Sequence, residues 1–206
     1  MSDIWDKRYA QFEAAFGTDP NDFLATVWQH IRRDRGPVVC IGDGQGRNGV
    51  FLAEQGFDVI SVDLSVIGIE HATRLAAERG VMLTGVVADL ADWQPPHECA
   101  AIVSIFCHLP SEVRARAYPR LTGALAVDGV WIMESYTPDQ IGRGTGGPPV
   151  ADMMHDAASI AAELTGPGAL ETVVLHELVR PVVEGPLHTG DAAVVQYVGR
   201  RHEVAS

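Results

Sequence analysis

The chain opens with two amphipathic stretches. Between residues 4 and 16, Ile4, Tyr9, Phe12 and Phe16 recur at spacings of three to five, which predicts a helix with one apolar face. Asp19-Pro20-Asn21 then supplies a cap, and Phe23, Leu24, Val27, Trp28 and Ile31 predict a second helix. From Pro37 the pattern changes. Short apolar runs without strict alternation fall at 38–41, 58–62, 81–87, 100–106 and 129–135, and amphipathic stretches at 47–55, 66–79 and 111–126 separate most of them. Strands apolar on both faces and alternating with helices predict an α/β fold, a mostly parallel sheet between two helical layers.

The tail follows another rule. Gly142–Pro149 (GRGTGGPP) is a glycine- and proline-rich loop, and a short helix is predicted over 152–164. Residues 172–183 and 192–200 are β-rich with no helix between them. A direct return of this kind must be antiparallel, because a parallel return needs a crossover of a dozen or more residues.

Composition and charge narrow the partners. A net charge of -12, with Lys7 the only lysine and the arginines scattered, leaves no basic stripe for phosphate backbones. Nucleic acid and anionic membrane are not expected partners. Met1 is followed by a charged stretch rather than an apolar signal region, and no run approaches the roughly 20 apolar residues of a membrane span. The three cysteines, Cys40, Cys99 and Cys107, lie in or beside apolar runs, which predicts buried reduced thiols and a cytoplasmic setting. The cysteines and histidines lack paired ligand spacing such as CxxC or HExxH, so no metal is expected.

The strongest chemical signal is the run Val38-Val39-Cys40-Ile41-Gly42-Asp43-Gly44-Gln45-Gly46-Arg47-Asn48. A buried strand enters a Gly-x-Gly-x-Gly turn and a helix starts at once. Glycine lets a ligand approach the backbone and allows positive φ, and strand tips facing helix N-termini are where open α/β sheets bind ligands. Asp63 closes the strand Val59–Val62, where a carboxylate can accept from both hydroxyls of a ribose. Asp89 follows the next strand and can meet an adenine amino group. Three consecutive strand tips thus suit one adenosine.

Gly44-Gln45-Gly46-Arg47-Asn48-Gly49 also reads as GxGxxG, so a nicotinamide dinucleotide competes for the same residues. The acid in that fingerprint stands about 20 or more residues after the first glycine. Asp63 follows Gly44 by 19, and the glycines sit tight against the strand with no room for a separate phosphate loop. The spacing favours a single adenosine. A third reading is a non-catalytic module that senses the same ligand.

The glycine run, with Phe51-Leu52-Ala53-Glu54-Gln55-Gly56-Phe57-Asp58-Val59 after it, resembles class I S-adenosylmethionine-dependent methyltransferases. Within that superfamily it is most similar to the small bacterial tellurite-resistance-type proteins. Ile102–Pro110, Gly144–Pro149 and Glu184–Gly190 carry the same likeness. The resemblance implies a Rossmann-like three-layer sandwich of seven strands, six parallel and the last antiparallel. It implies S-adenosylmethionine as cofactor, held by Gly42, Gly44 and Gly46, with Asp63 on the ribose and Asp89 and Leu90 framing the adenine. Asp43, Asn48, Leu64 and Phe106 complete the expected donor contacts, and Tyr9, in Trp5-Asp6-Lys7-Arg8-Tyr9, is expected to cover the methionine portion. Cys40 stands where many relatives carry an acid, and Val127-Asp128-Gly129 where a Pro-Gly-Gly turn is common.

On this reading the chain is one domain over 1–206. Helices within 1–35 cover the site, 36–136 bind the cofactor, and 137–206 supply the acceptor side. The acceptor is expected to be a small molecule: a chalcogen oxyanion, a thiol or a hydrophobic metabolite. His108, after strand 100–106, and His188, between the last two strands, are the candidate catalytic residues. His30, His71, His97, His155, His176 and His202 have no comparable context and are expected to be structural or solvated.

Overall fold

A computed structural model of the chain describes residues 2–96, 98–165 and 170–203, so His97 lies outside the described residues. Seven strands, β1 (Val38–Ile41), β2 (Val59–Asp63), β3 (Thr84–Val87), β4 (Cys99–Ile105), β5 (Leu125–Tyr136), β6 (Glu171–Val183) and β7 (Thr189–Arg200), form one sheet in the order β3-β2-β1-β4-β5-β7-β6. The helices are α1 (Ser2–Gln11), α2 (Asp22–Val27), α3 (Arg47–Glu54), α4 (Val66–Glu78), α5 (Ser111–Ala124) and α6 (Ala157–Leu164). The pairs β1–β2, β1–β4, β2–β3 and β4–β5 are parallel, and β7 is antiparallel to both β5 and β6. Six strands therefore run one way and β7 alone reverses, as the direct return in the tail requires.

Every residue of β1 is buried, and alternate residues serve opposite faces. Val39 and Ile41 join Tyr118 and Leu121 of α5 and Ile160 of α6, whereas Val38 and Cys40 join Leu24 of α2 and Leu52 of α3. Burial on both faces explains the unbroken apolar runs. The three cysteines are buried and free. Among the described residues no helix is long and apolar enough to cross a membrane.

Among the boundaries that differ from those the pattern predicts, four have a plain local cause. The first helix stops at Gln11, because the amide of Gln45 takes the carbonyls of Phe12 and Glu13 at 2.9 Å each and the N–H of Ala15 at 2.7 Å. β3 starts at Thr84 rather than residue 81, since Val81 donates to Ala76 O and caps α4 behind Gly80. β5 begins at Leu125 because Val127-Asp128-Gly129 is a bulge inside the strand, with Asp128 at φ +64°. The helix predicted over 152–164 is α6 alone, preceded by a 3-10 turn at Ala151–Met153 and started by a capping box on Asp156 and Ser159.

Candidate active site

The glycine turn sits at the carboxyl tip of β1, and its three alternate glycines all have positive φ: +59° at Gly42, +57° at Gly44 and +85° at Gly46. Each also lies where a side chain would collide. A Cβ on Gly42 would come 2.5 Å from Cys107 Sγ, on Gly44 2.4 Å from the Tyr9 hydroxyl, and on Gly46 2.4 Å from Ala72 Cβ. Gly42 and Gly44 line a cleft of about 570 Å³, within the range of small-molecule sites. Gly46 does not. It caps α3 and lets α4 pack against the turn.

The other strand tips close on the same space. Asp63 ends β2 with Oδ2 accepting from Gly44 N and Oδ1 from Ser65 N, both at 2.8 Å. Each oxygen keeps a lone pair for a ligand hydroxyl. Burial raises the Asp63 pKa above the ordinary carboxylate range, while backbone hydrogen bonds pull the other way. Asp89 accepts from Ala91 N at 2.8 Å and lines the cleft, with Leu64 and Leu90 beside it. Asp43 also borders the cleft, yet its carboxylate accepts from Ser61 Oγ at 2.7 Å and Gly49 N at 3.3 Å; burial pushes it up to about 6. It fastens the turn to β2. Asn48, also on the cleft wall, accepts from Asn21 N at 2.9 Å.

The amino-terminal segment forms the cover. Tyr9 is buried against Gly44 and Gly68 and stacked on Trp5, with ring centroids 5.8 Å apart. Arg8 lies 4.8 Å over the Trp5 ring and lines the cleft.

Beyond β4 the chain turns sharply. Phe106 adopts φ +51° while its N–H donates to Glu134 O at 2.8 Å, a strained conformation of the kind that gathers at functional sites. That turn brings Phe106, Cys107 and His108 to the cleft, and the β6–β7 turn brings His188 to it. The His188 ring lies 5.0 Å from Phe106 and 4.6 Å from Phe16. His108 Nδ1 is 3.2 Å from Met153 O, so that nitrogen donates. Burial lowers His108 to about 4 and His188 to about 3, with His108, Arg47 and Arg8 adding to the shift at His188. His155 is buried between Ser135 and Tyr118, at 3.1 and 3.0 Å, a structural position.

Sequence reasoning missed a buried charge network beneath this end. Arg47 pairs with Glu184, and Arg180 pairs with Glu134 at 2.5 Å and with Glu184 at 3.3 Å. Asn21 Nδ2 donates to Glu134 at 2.5 Å and to Glu184 at 2.7 Å, and Gln196 donates to Glu134 at 2.7 Å. Two guanidinium groups and two carboxylates thus balance within one cluster. It joins α3, the start of α2, the tip of β5 and the hairpin that carries His188.

Residues 38–129 match the family model described as "Methyltransferase domain". The chain has the Rossmann-like α/β fold of the methyltransferases. Three solved structures show how widely that fold extends around the domain. One is a structure described as the conversion of a disulfide bond into a thioacetal group during echinomycin biosynthesis. It has 18% identity and a TM-score of 0.77, covering 100% of this chain and 93% of its own. A TehB-like SAM-dependent methyltransferase from Corynebacterium glutamicum has 22% identity and a TM-score of 0.63, covering 97% of each chain. The magnesium protoporphyrin IX methyltransferase ChlM from Synechocystis, with bound SAM, has 17% identity and a TM-score of 0.61, covering 87% of this chain and 77% of its own. No curated protein sequence matches the chain. At these identities the solved structures speak to the fold of this chain and leave its substrate open.

Proposed function

We propose that the protein transfers the methyl group of S-adenosylmethionine to a small-molecule acceptor by in-line displacement. One observation carries the reading: Gly44, Asp63 and Asp89, from three neighbouring strand tips, line a single cleft with His108 and His188. Bound there, the donor would supply an electrophilic methyl on a sulfonium sulfur. Asp63 would accept the ribose hydroxyls on its remaining lone pairs, Asp89 the adenine amino group, and Leu64 and Leu90 would flank the base. Arg8 and Tyr9 stand at the cover, where Arg8 suits the donor's carboxylate. His108 and His188 would receive the acceptor, and the N-terminal cover and the Gly142–Pro149 loop would exclude water. Alignment of two held reactants is worth up to about 7–11 kcal/mol of barrier, so positioning carries much of the work. A cytoplasmic setting suits the three free, buried cysteines.

Against a dinucleotide stands the sheet itself. The dinucleotide order ends 4-5-6, whereas here antiparallel β7 is inserted between β5 and β6. Isothermal titration with S-adenosylhomocysteine tests the proposal. Saturable binding is expected, and Asp63→Ala should weaken it by ~1.5–3 kcal/mol, the scale of hydrogen bonds to a charged group. Absence of binding at about 1 mM ligand, or an unchanged affinity in the variant, would contradict it.

A further inference from the structure

Along the sheet edge the strand order puts Asp89 at one end of the cleft and His188 at the other. At the His188 end two imidazoles hold buried nitrogens without partners, Nε2 of His108 and Nδ1 of His188. The first can be assigned. A carbonyl only accepts, so the contact with Met153 O places the proton on Nδ1 of His108 and leaves Nε2 with a bare lone pair. A buried polar atom left unpaired costs about 1–3 kcal/mol, and two retained in one cleft wall mark a place where a ligand's polar group belongs.

The wall around them is apolar apart from the Tyr136 hydroxyl, which is also buried without a partner. Phe16 and Phe106 flank His188, Tyr136 stacks on His108 with ring centroids 5.4 Å apart and planes 13° apart, and Leu109 and Met153 line the same end. Two cations reach the cleft wall near His188. Arg47 is neutralised by Glu184, and Arg8 lies over Trp5 in the N-terminal cover. Both histidines are held far below their usual range by burial, so both are uncharged at neutral pH. Neither guanidinium makes a hydrogen bond to the two open nitrogens.

We propose, resting on the methyl-transfer reading, that this end of the cleft takes an uncharged acceptor with an apolar or aromatic body and one O–H or S–H group, which donates to the open nitrogen of His108 or His188. The acceptor's oxygen or sulfur forms the new bond to the methyl carbon. The carbon–sulfur bond of the donor breaks with its electron pair returning to sulfur, and the acceptor's proton passes to the imidazole nitrogen. A chalcogen oxyanion fits poorly: it would bring negative charge against the bare lone pair of His108, where no guanidinium is hydrogen-bonded. The site thereby departs from the acceptor that the tellurite-resistance likeness suggests.

The test uses labelled methyl transfer with four probes: 2-naphthol, phenylmethanethiol, 2-naphthoate and sodium tellurite. Titration of S-adenosylhomocysteine runs in parallel. Methylation of 2-naphthol or the thiol is expected, with no competition from 2-naphthoate. His108→Ala and His188→Ala together should lower kcat/KM by about 10²-fold or more, the scale of a lost general base, with cofactor affinity unchanged. Preferential methylation of tellurite, equal binding of naphthoate and naphthol, or unchanged kcat/KM in the double variant would overturn the acceptor class. So would intact cofactor binding with no product from either uncharged probe. Loss of cofactor binding in the unmodified protein would instead defeat the methyl-transfer reading on which the class rests.

Discussion

At the scale of single residues, the site is set by backbone conformation as much as by side-chain chemistry. Gly44 needs both its positive φ and the space filled by the Tyr9 hydroxyl, so the cover and the turn are mutually fitted. Gly44→Ala should cost about 1–2 kcal/mol from the left-handed backbone alone, with more from the collision, and should weaken S-adenosylhomocysteine binding. Gly80 provides the contrast: its φ is +72° but a Cβ there would meet nothing within 4 Å. Gly80→Ala should lower the thermal midpoint modestly and leave cofactor affinity unchanged. Equal cofactor affinities in the two variants would sink the claim that Gly44 is fitted to the site. The glycine run and Asp63 were legible in the sequence because a strand, a turn and an acid lie within one short stretch. The packing duty of Gly46 was not legible, since Ala72, the side chain it accommodates, lies a full helix away.

At the scale of elements, the charge network is what holds the β6–β7 hairpin to the cofactor side. Glu184 is tied to Arg47, Asn21 and Arg180 at once, four residues before His188. Removing one partner of a buried ion pair costs about 3–5 kcal/mol, because the other charge is left uncompensated. Glu184→Gln should therefore lower stability on that scale and raise amide exchange in the 184–188 turn. A variant as stable as the parent, with unchanged exchange there, would show that the hairpin is held by other contacts. Periodicity found the strands and most helices, since each buries a local pattern. It could not find this network, whose members lie up to 163 positions apart. Nor could it foresee α1 ending at Gln11, which depends on the amide of Gln45 reaching back from the glycine turn.

For the whole molecule, buried imidazoles set the response to acid. His108 is lowered to about 4, and His155 and His188 to about 3, chiefly by burial. The unfolded chain takes up protons on these groups near their ordinary value of about 6.5, before the folded chain does. Stability is thus intact above about pH 6.5 and falls as pH drops from there toward 4 and 3. Asp43, raised to about 6, has the opposite sign, because the folded state binds its proton first; Asp63, also raised, acts in the same sense. Three imidazoles outweigh two carboxylates, so calorimetry between pH 7 and 4.5 should show a falling midpoint, and a rising one would refute the assignment.

The central claim is that three strand tips grip one adenosine, with its reactive end turned toward Phe106 and His188. A crystal structure with S-adenosylhomocysteine tests it most directly. The account predicts both ribose hydroxyls within hydrogen-bond reach of Asp63, the adenine between Leu64 and Leu90 beside Asp89, and the sulfur toward the Phe106 turn. A ligand bound outside this cleft, or bound within it with no contact to Asp63, would contradict it.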